Sequence, residues 1–475
     1  MIKRVPLITG IVIGVLFAII LSFQNWSFKE IIVSAAITTM AIWWISECIP
    51  IYVTALFPLV IFPLAGIVPM KELAPLYMQE VIFLFIGGFI VAYAIERSGL
   101  HKRIALKIIL MSGSSLNKIL LGFMLASYLL SMWILNTATV TMLIPAVLAV
   151  LHQLGKEARK VSSPLLLGIA YASSIGGMAT LVGTVPNMIL KGQYNEHFSQ
   201  LEPITFASWA AVGVPLSLVL FVVTFFILKW KFIRNTGEKE VSITECKTAY
   251  QNLGPLSTNE KWISVVFVLL AVSWVTIKKI KIGNLELFGW SELFPDPSAI
   301  KESTVAMFFA LVLYLIPRPR DKELLTWNDV RRIPIGIIFL FGAGYALVAS
   351  FNKSGLSARI EEMLAFTHDI APYLIILSLC LIMTFMTELT SNTTSINLFI
   401  PILFPLATMF KSEPLSLIMP VTFCASCAFM LPVATPPNTI VFGSERLPIK
   451  DMVSTGLVLN IVSVIIISFA GYFFM

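Results

Sequence analysis

The chain has 475 residues, of which 57% are hydrophobic and 12% are charged, with a net charge of +7. An ordinary soluble domain is roughly 25% charged, so a water-soluble fold is excluded. The positive balance is not that of a nucleic-acid binder either, because the Lys and Arg residues collect beside apolar runs.

Lys3 and Arg4 precede the first apolar run, 7–23, and no small-residue cleavage site follows it, which argues against a signal peptide. Further runs have their most apolar parts at 31–45, 83–95, 212–228, 265–277, 305–316, 335–350 and 452–474. With their flanks these can supply the ~20 helical residues that cross a hydrocarbon core. The expectation is an all-α polytopic membrane protein. Lys229, Lys231, Arg234 and Lys239 follow one run, and Arg318, Arg320, Lys322, Arg331 and Arg332 follow another. The positive-inside rule then places both clusters and the N-terminus in the cytoplasm, with the chain in the plasma membrane.

An internal repeat divides the chain. FLFIGGF at 83–89 matches FLFGAGY at 339–345, SGLHKRI at 98–104 matches SGLSARI at 354–360, and LNTATVTMLIP at 135–145 matches SNTTSINLFIP at 391–401. All three pairs share an offset of 256 residues, while GTVPN at 183–187 matches ATPPN at 434–438 at an offset of 251. The predicted organisation is a first repeat with its N-terminal helix (1–230), a polar cytoplasmic linker (231–260) and a second repeat (261–475). Residues 97–160 carry Arg97, Lys102, Arg103, Lys107, Lys118, Lys156, Arg159 and Lys160; the equivalent 353–416 carry only Lys353, Arg359 and Lys411. That imbalance predicts copies of inverted topology, an arrangement common in secondary transporters.

In both copies an apolar helix runs into Asn-Thr and a second leaves with Ile-Pro, the pattern of a re-entrant helical hairpin. The Pro-Asn motifs interrupt another helix in each copy. Non-helical backbone survives at membrane depth only where protein buries it or a watery cavity adjoins it. Four such breaks meeting near the midplane would offer helix N-termini to an anion, and carbonyls with Ser, Thr and Asn oxygens to a cation such as Na⁺. Single Ser, Thr or Asn residues often only join neighbouring helices; two pairs of motifs at fixed offsets point instead to a binding site. Glu388, beside the second tip, is expected to have a pairing partner, and Glu47, nearer a helix end, to be structural.

The five cysteines (Cys48, Cys246, Cys380, Cys424, Cys427) suggest no disulfide framework. FCASCAFM, which holds a CxxC, reads as a packed apolar helix rather than a redox or metal centre. The four histidines lack partners at ligand spacing, so no cofactor is expected, and no enzyme either: a nucleophile–base or metal-ligand pair is missing from the apolar segments.

TEL at 387–389 with SNT at 391–393, NTAT at 136–139, GTVPN, ATPPN and the early WWISECIPIYVTALFP at 43–58 resemble the paired signatures of the divalent anion/sodium symporter (DASS) family. The resemblance covers nearly the whole chain. It implies a homodimer of protomers with about eleven transmembrane helices and two re-entrant hairpins. A scaffold part (about 1–110 plus 261–365) would hold the dimer, and a transport part (about 111–230 plus 366–475) would move through it as an elevator. The substrates implied are small di- or tricarboxylate anions, commonly succinate, malate, fumarate, 2-oxoglutarate or citrate. By position, substrate binding falls to Asn136, Thr137, Thr184, Ser391, Asn392, Thr393, Thr435 and Pro436. Na⁺ as coupling ion falls to Ser131, Asn136 and Gly183 in one site and to Thr387, Thr390, Asn392 and Ala434 in the other. No Arg or Lys lies in these motifs, so neutral donors, dipoles and cations must compensate two carboxylates.

Two positions depart from the pattern. Leu135 stands where the family has Ser, which leaves Na⁺ symport and dicarboxylate exchange both open, and Val185 stands in place of Pro. The rival readings are a transporter of an inorganic oxyanion such as sulfate and a cation/proton antiporter of similar architecture. The latter is expected to carry a buried Asp at the helix crossing, and the broken-helix motifs have none.

Overall fold

The computed structural model describes residues 3–154, 158–234, 243–282, 285–316, 324–410 and 413–474. The topology markers Lys156, Lys239, Arg318, Arg320, Lys322 and Lys411, and part of the expected linker, lie outside them.

Among the described residues nine helices are long and apolar enough to cross a membrane, and five shorter apolar helices accompany them. The helical class is as expected; one short antiparallel pair of strands, Ile280–Ile282 with Leu285–Leu287, is an addition to it. The linker is not wholly irregular, because the helix Thr244–Asn252 lies in it, and a π-helical turn, Lys229–Ile233, carries the preceding helix past residue 230.

The sequence repeat is also a repeat of helices. Glu80–Ser98 and Gly336–Ser354 start and stop at the 256-residue offset, as do Leu116–Ser131 and Pro372–Thr387, and Asn136–Gln153 and Asn392–Met409. Each copy turns at a glycine in the left-handed region, Gly99 (φ 81°) or Gly355 (φ 87°), into an amphipathic helix, Leu100–Ser112 or Leu356–Leu364. A side chain there would be strained, and glycine removes that cost.

The two opening helices carry the same N-terminal device. Ser27 and Glu30 form a capping box at Phe28–Ser46, and Ser257 and Glu260 form one at Thr258–Val275, so orphan N–H groups at each helix start are satisfied by side chains.

The helix Ala158–Ala179 is the spine of the protein. Its stretch Val161–Ala179 is wholly buried, packed between Leu116–Ser131, Phe206–Leu228 and Asn136–Gln153. The first helix, Arg4–Ser22, is by contrast largely exposed. Glu47 ends Phe28–Ser46 as an exposed C-cap in the left-handed region (φ 45°).

Candidate functional site

Each hairpin turns over in four residues. In the first copy Leu116–Ser131 ends, residues 132–135 cross the tip, and Asn136–Gln153 begins; the second copy repeats this between Thr387 and Asn392. The copies interlock: Asn136–Gln153 packs on Pro436–Phe442 of the second copy, and Asn392–Met409 packs on Val185–His197 of the first. This exchange brings tips and breaks of both copies into one region.

The expected cation ligands meet in matching pairs. The Ser131 hydroxyl donates to Asn136 Oδ1. At the equivalent position the Thr387 hydroxyl lies 2.9 Å from Asn392 Oδ1 and 2.9 Å from the Ala425 carbonyl. Gly183 joins the first group through Gly177: a Cβ on Gly177 would sit 2.9 Å from Asn136 Oδ1 and 3.2 Å from the Gly183 carbonyl. A Cβ at 183 would lie 2.5 Å from the Gly177 carbonyl oxygen, so it is glycine at 183 that permits this close approach. These are hard oxygen donors, the chemistry a Na⁺ ion takes. Thr390 turns instead to Ser395, hydroxyl to hydroxyl. Ala434 is buried.

The substrate candidates divide by environment. Asn136, Ser391, Asn392 and Thr393 are half-buried at the tips, while Thr137 and Pro436 are exposed. Thr435 is an N-cap that accepts from the Asn438 N–H at 3.3 Å, whereas Thr184, the N-cap of Val185–His197, makes no such bond. Ser391 accepts from the Thr394 N–H at 3.3 Å, but Leu135 offers its helix no side-chain cap. The Leu135 side chain lines a small cavity of about 30 Å³ with Phe85, Phe89, Trp133, Val182, Met188 and the candidate residue Thr184. The first-copy tip thus keeps uncapped N–H groups, and Leu135 shares its mostly apolar cavity with Thr184.

Several residues that hold the breaks open were not assigned from the sequence. Asn187 Nδ2 donates to the carbonyls of Gly177 (3.0 Å) and Thr180 (2.7 Å). Asn438 Nδ2 does the same to Ala428 and Leu431, both at 3.0 Å. The acceptors stand ten and seven residues before each asparagine, so one amide spans each break, reaching the preceding helix at Gly177 in the first copy and unwound backbone in the second. The available signal was the Asn that closes both Pro-Asn motifs.

The second break is longer, and it corrects the reading of FCASCAFM as a continuous helix. Leu415–Cys424 stops at Cys424, and helix resumes only at Pro436. Side chains replace the lost ladder. Glu388 accepts from the N–H groups of Met430 (2.8 Å) and Leu431 (2.9 Å) and from Asn460 Nδ2 (2.7 Å), and Tyr171 Oη donates to the Phe429 carbonyl at 2.7 Å. Glu388 is buried, and these donors satisfy its carboxylate. No group of His, Cys, Asp or Glu among the described residues could hold a metal.

The two copies differ in exposure. Val433, Pro436 and Thr439 of the second break are exposed, whereas their counterparts Val182, Val185 and Met188 line the small cavity against Phe85 and Phe89. Leu389 at the second tip is 67% exposed, while its counterpart Trp133 is half-buried among rings. One break faces open space and its twin is covered.

Comparison with known proteins agrees with this architecture. The family model described as the sodium:sulfate symporter transmembrane region matches residues 2–475. A curated protein of Staphylococcus saprophyticus named sodium-dependent dicarboxylate transporter SdcS is 37% identical over 489 residues, covering 99% of this chain and 91% of the relative. A protein of the same name from Staphylococcus aureus is 37% identical over 494 residues, covering 100% and 93%. Among solved structures, that of Neisseria gonorrhoeae MtrF, reported as illuminating a class of antimetabolite efflux pumps, superposes with a TM-score of 0.62 at 15% identity over 88% of this chain and 84% of that one. At that identity the likeness is one of fold.

Proposed function

The chain belongs to the sodium:sulfate symporter family and is an integral membrane transporter rather than an enzyme, and on that premise we propose that it couples Na⁺ to the movement of C4-type dicarboxylates such as succinate, malate and fumarate. The observation that carries this reading is the paired oxygen set, Ser131 with Asn136 and Thr387 with Asn392, one set per copy. Leu135 adds no side-chain oxygen to the first set; it lines a small, mostly apolar cavity whose wall also includes Thr184. The names of the 37% identical relatives support both the ion and the substrate class.

The mechanism follows from charge. A dianion brought into this site meets no Arg or Lys in the motifs. Uncapped N–H groups at the start of Asn136–Gln153, the Asn136 and Asn392 amides and the Thr184 hydroxyl can donate to its carboxylates. Two Na⁺ ions held on the Ser131–Asn136 and Thr387–Asn392 oxygens would balance its charge, so each cargo favours binding of the other. Distributed neutral contacts bind weakly enough to release.

The unequal exposure of the two breaks supports alternating access. With inverted copies and a cytoplasmic N-terminus, the second-copy tip opens outward and the first-copy tip inward. The state described here is then open to the outside, and an elevator movement of the transport part would exchange the two environments. A homodimer built on the scaffold part belongs to the same proposal. The test is labelled succinate uptake by purified protein in liposomes, challenged with unlabelled malate, fumarate, 2-oxoglutarate, citrate and sulfate. Competition by the dicarboxylates supports the assignment; competition by sulfate alone would replace it with an inorganic oxyanion.

A further inference from the structure

Lys191 and Glu302 form an ion pair, Nζ to Oε2 3.2 Å, in which both residues are buried. Lys191 lies on Val185–His197, the helix that leaves the first-copy break, and Glu302 opens Glu302–Leu315, which belongs to the scaffold part in the proposed division. The other carboxylate oxygen of Glu302 accepts from the Phe206 N–H at 2.9 Å, and its main-chain carbonyl accepts from the Trp274 indole at 2.9 Å. Rings extend the contact. Trp133 of the first tip stacks on Phe206 (5.8 Å) and meets Phe267 edge-on (4.9 Å), and Phe206 stacks on Trp274 (4.9 Å). Phe267 and Trp274 both lie on Thr258–Val275. Charge and aromatic packing therefore join the first-copy tip and break to two helices of the scaffold part.

The second copy lacks this device. At the offset of 251 residues Lys191 corresponds to Phe442, and at 256 Trp133 corresponds to the exposed Leu389.

We propose that Lys191–Glu302 is a one-sided latch that holds the first-copy break covered by the scaffold and opens in every transport cycle. This rests on the two-part reading above. The pair is dry while the parts are docked, and separation returns both groups to water, so opening strands neither charge in an apolar interior. Buried attraction and lost hydration nearly offset one another, and the result is a bias between two states rather than a permanent clamp. Because the second copy has no equivalent, the bias favours the arrangement in which the first tip is covered.

The test is the rate at which an impermeant thiol reagent modifies Val182→Cys in the purified full-length protein. Val182 is half-buried in the covered cavity, and its counterpart Val433 is 80% exposed. The five native cysteines are all buried and provide the background. Added Lys191→Met, Glu302→Gln, or both together should each speed modification about fivefold or more, with the double change no larger than the single ones because the pair acts as a unit. Modification of Val433→Cys should not rise. The double change leaves no unpaired charge, so it carries the test if a single change misfolds. An unaltered rate in the double variant overturns the latch, as does an equal rise at the native cysteines, which would mean general loosening. The labelling needs no flux: a parent protein that moves no dicarboxylate defeats the transport reading and leaves the latch to be judged on these rates.

Discussion

Arg103 Nε lies 2.7 Å from Glu260 Oε1, and the same guanidinium donates to the carbonyls of Leu253, Gly254 and Pro255. Arg103 belongs to the amphipathic helix of the first copy, and Glu260 is the capping-box acid of Thr258–Val275. The second copy answers: Arg359 pairs with Glu30, the capping-box acid of Phe28–Ser46, at 3.5 Å, and donates to the Asn25 carbonyl at 2.9 Å. Each copy thus ties its amphipathic helix to a helix start in the other half of the chain. The first pair is buried and has the better geometry. Arg103→Ala is therefore expected to cost about 3 kcal/mol, as for breaking a buried pair, and to lower the melting temperature. Arg359→Ala, half-buried, should cost less. Thermal unfolding of the purified variants checks the order; equal losses would mean that the two clamps are equivalent.

At the tips, Asn136→Ala and Asn392→Ala are each expected to abolish dicarboxylate uptake while leaving the size-exclusion profile unchanged. Each amide oxygen is held by a hydroxyl in the proposed cation group, and Ala removes both donor and acceptor. Uptake near the parental rate in either variant would remove these residues from the site.

Glu388 anchors the longer break. Glu388→Gln keeps its shape but puts an amide where two backbone N–H groups and Asn460 need an acceptor. Hydrogen bonds to a charged group are worth about 1.5–3 kcal/mol each. Transport and thermal stability should therefore fall together, and further in Glu388→Ala. Full transport by Glu388→Gln would show that the break holds its shape without the carboxylate.

Much of the fold was legible because duplication writes itself twice. Helix starts and stops recur at the offset of the motifs, so the hairpins and first break could be read from Asn136, Asn392 and the Pro-Asn pairs. What stayed hidden was the polar wiring between distant segments. Nothing local in FCASCAFM marks the helix end at Cys424, since its residues are as apolar as those of a helix interior, and the unwound backbone is satisfied by Glu388 of the second tip and Tyr171 of Ala158–Ala179. Gly177 and Lys191 escaped for the same reason: their significance lies in what packs against them.

Topology can be read at two exposed, equivalent positions on the amphipathic helices. If the copies are inverted, Lys102→Cys should resist an impermeant thiol reagent in intact cells, and Ala358→Cys should react. The background from Cys246 is low, because burial first and Glu245 second push its thiol up to about 11. Equal labelling from outside would mean parallel copies.

Leu135→Ser is expected to add an N-cap, worth about 1 kcal/mol, without changing the Na⁺ dependence of uptake, since Ser131 and Asn136 already supply the first oxygen set. Ser391→Leu should harm transport more, because it removes an existing cap on the Thr394 N–H. Flux at stepped Na⁺ distinguishes the two; a steeper Na⁺ dependence in Leu135→Ser would place a missing ligand at 135.

The central claim is Na⁺-coupled dicarboxylate transport through the paired oxygen sets, and labelled succinate uptake into empty proteoliposomes under an inward Na⁺ gradient, with choline as replacement, tests it most directly. Steep Na⁺-dependent accumulation, lost in both Asn136→Ala and Asn392→Ala, is the result expected. Uptake that needs dicarboxylate preloaded inside and ignores Na⁺ would contradict it and make the protein an exchanger.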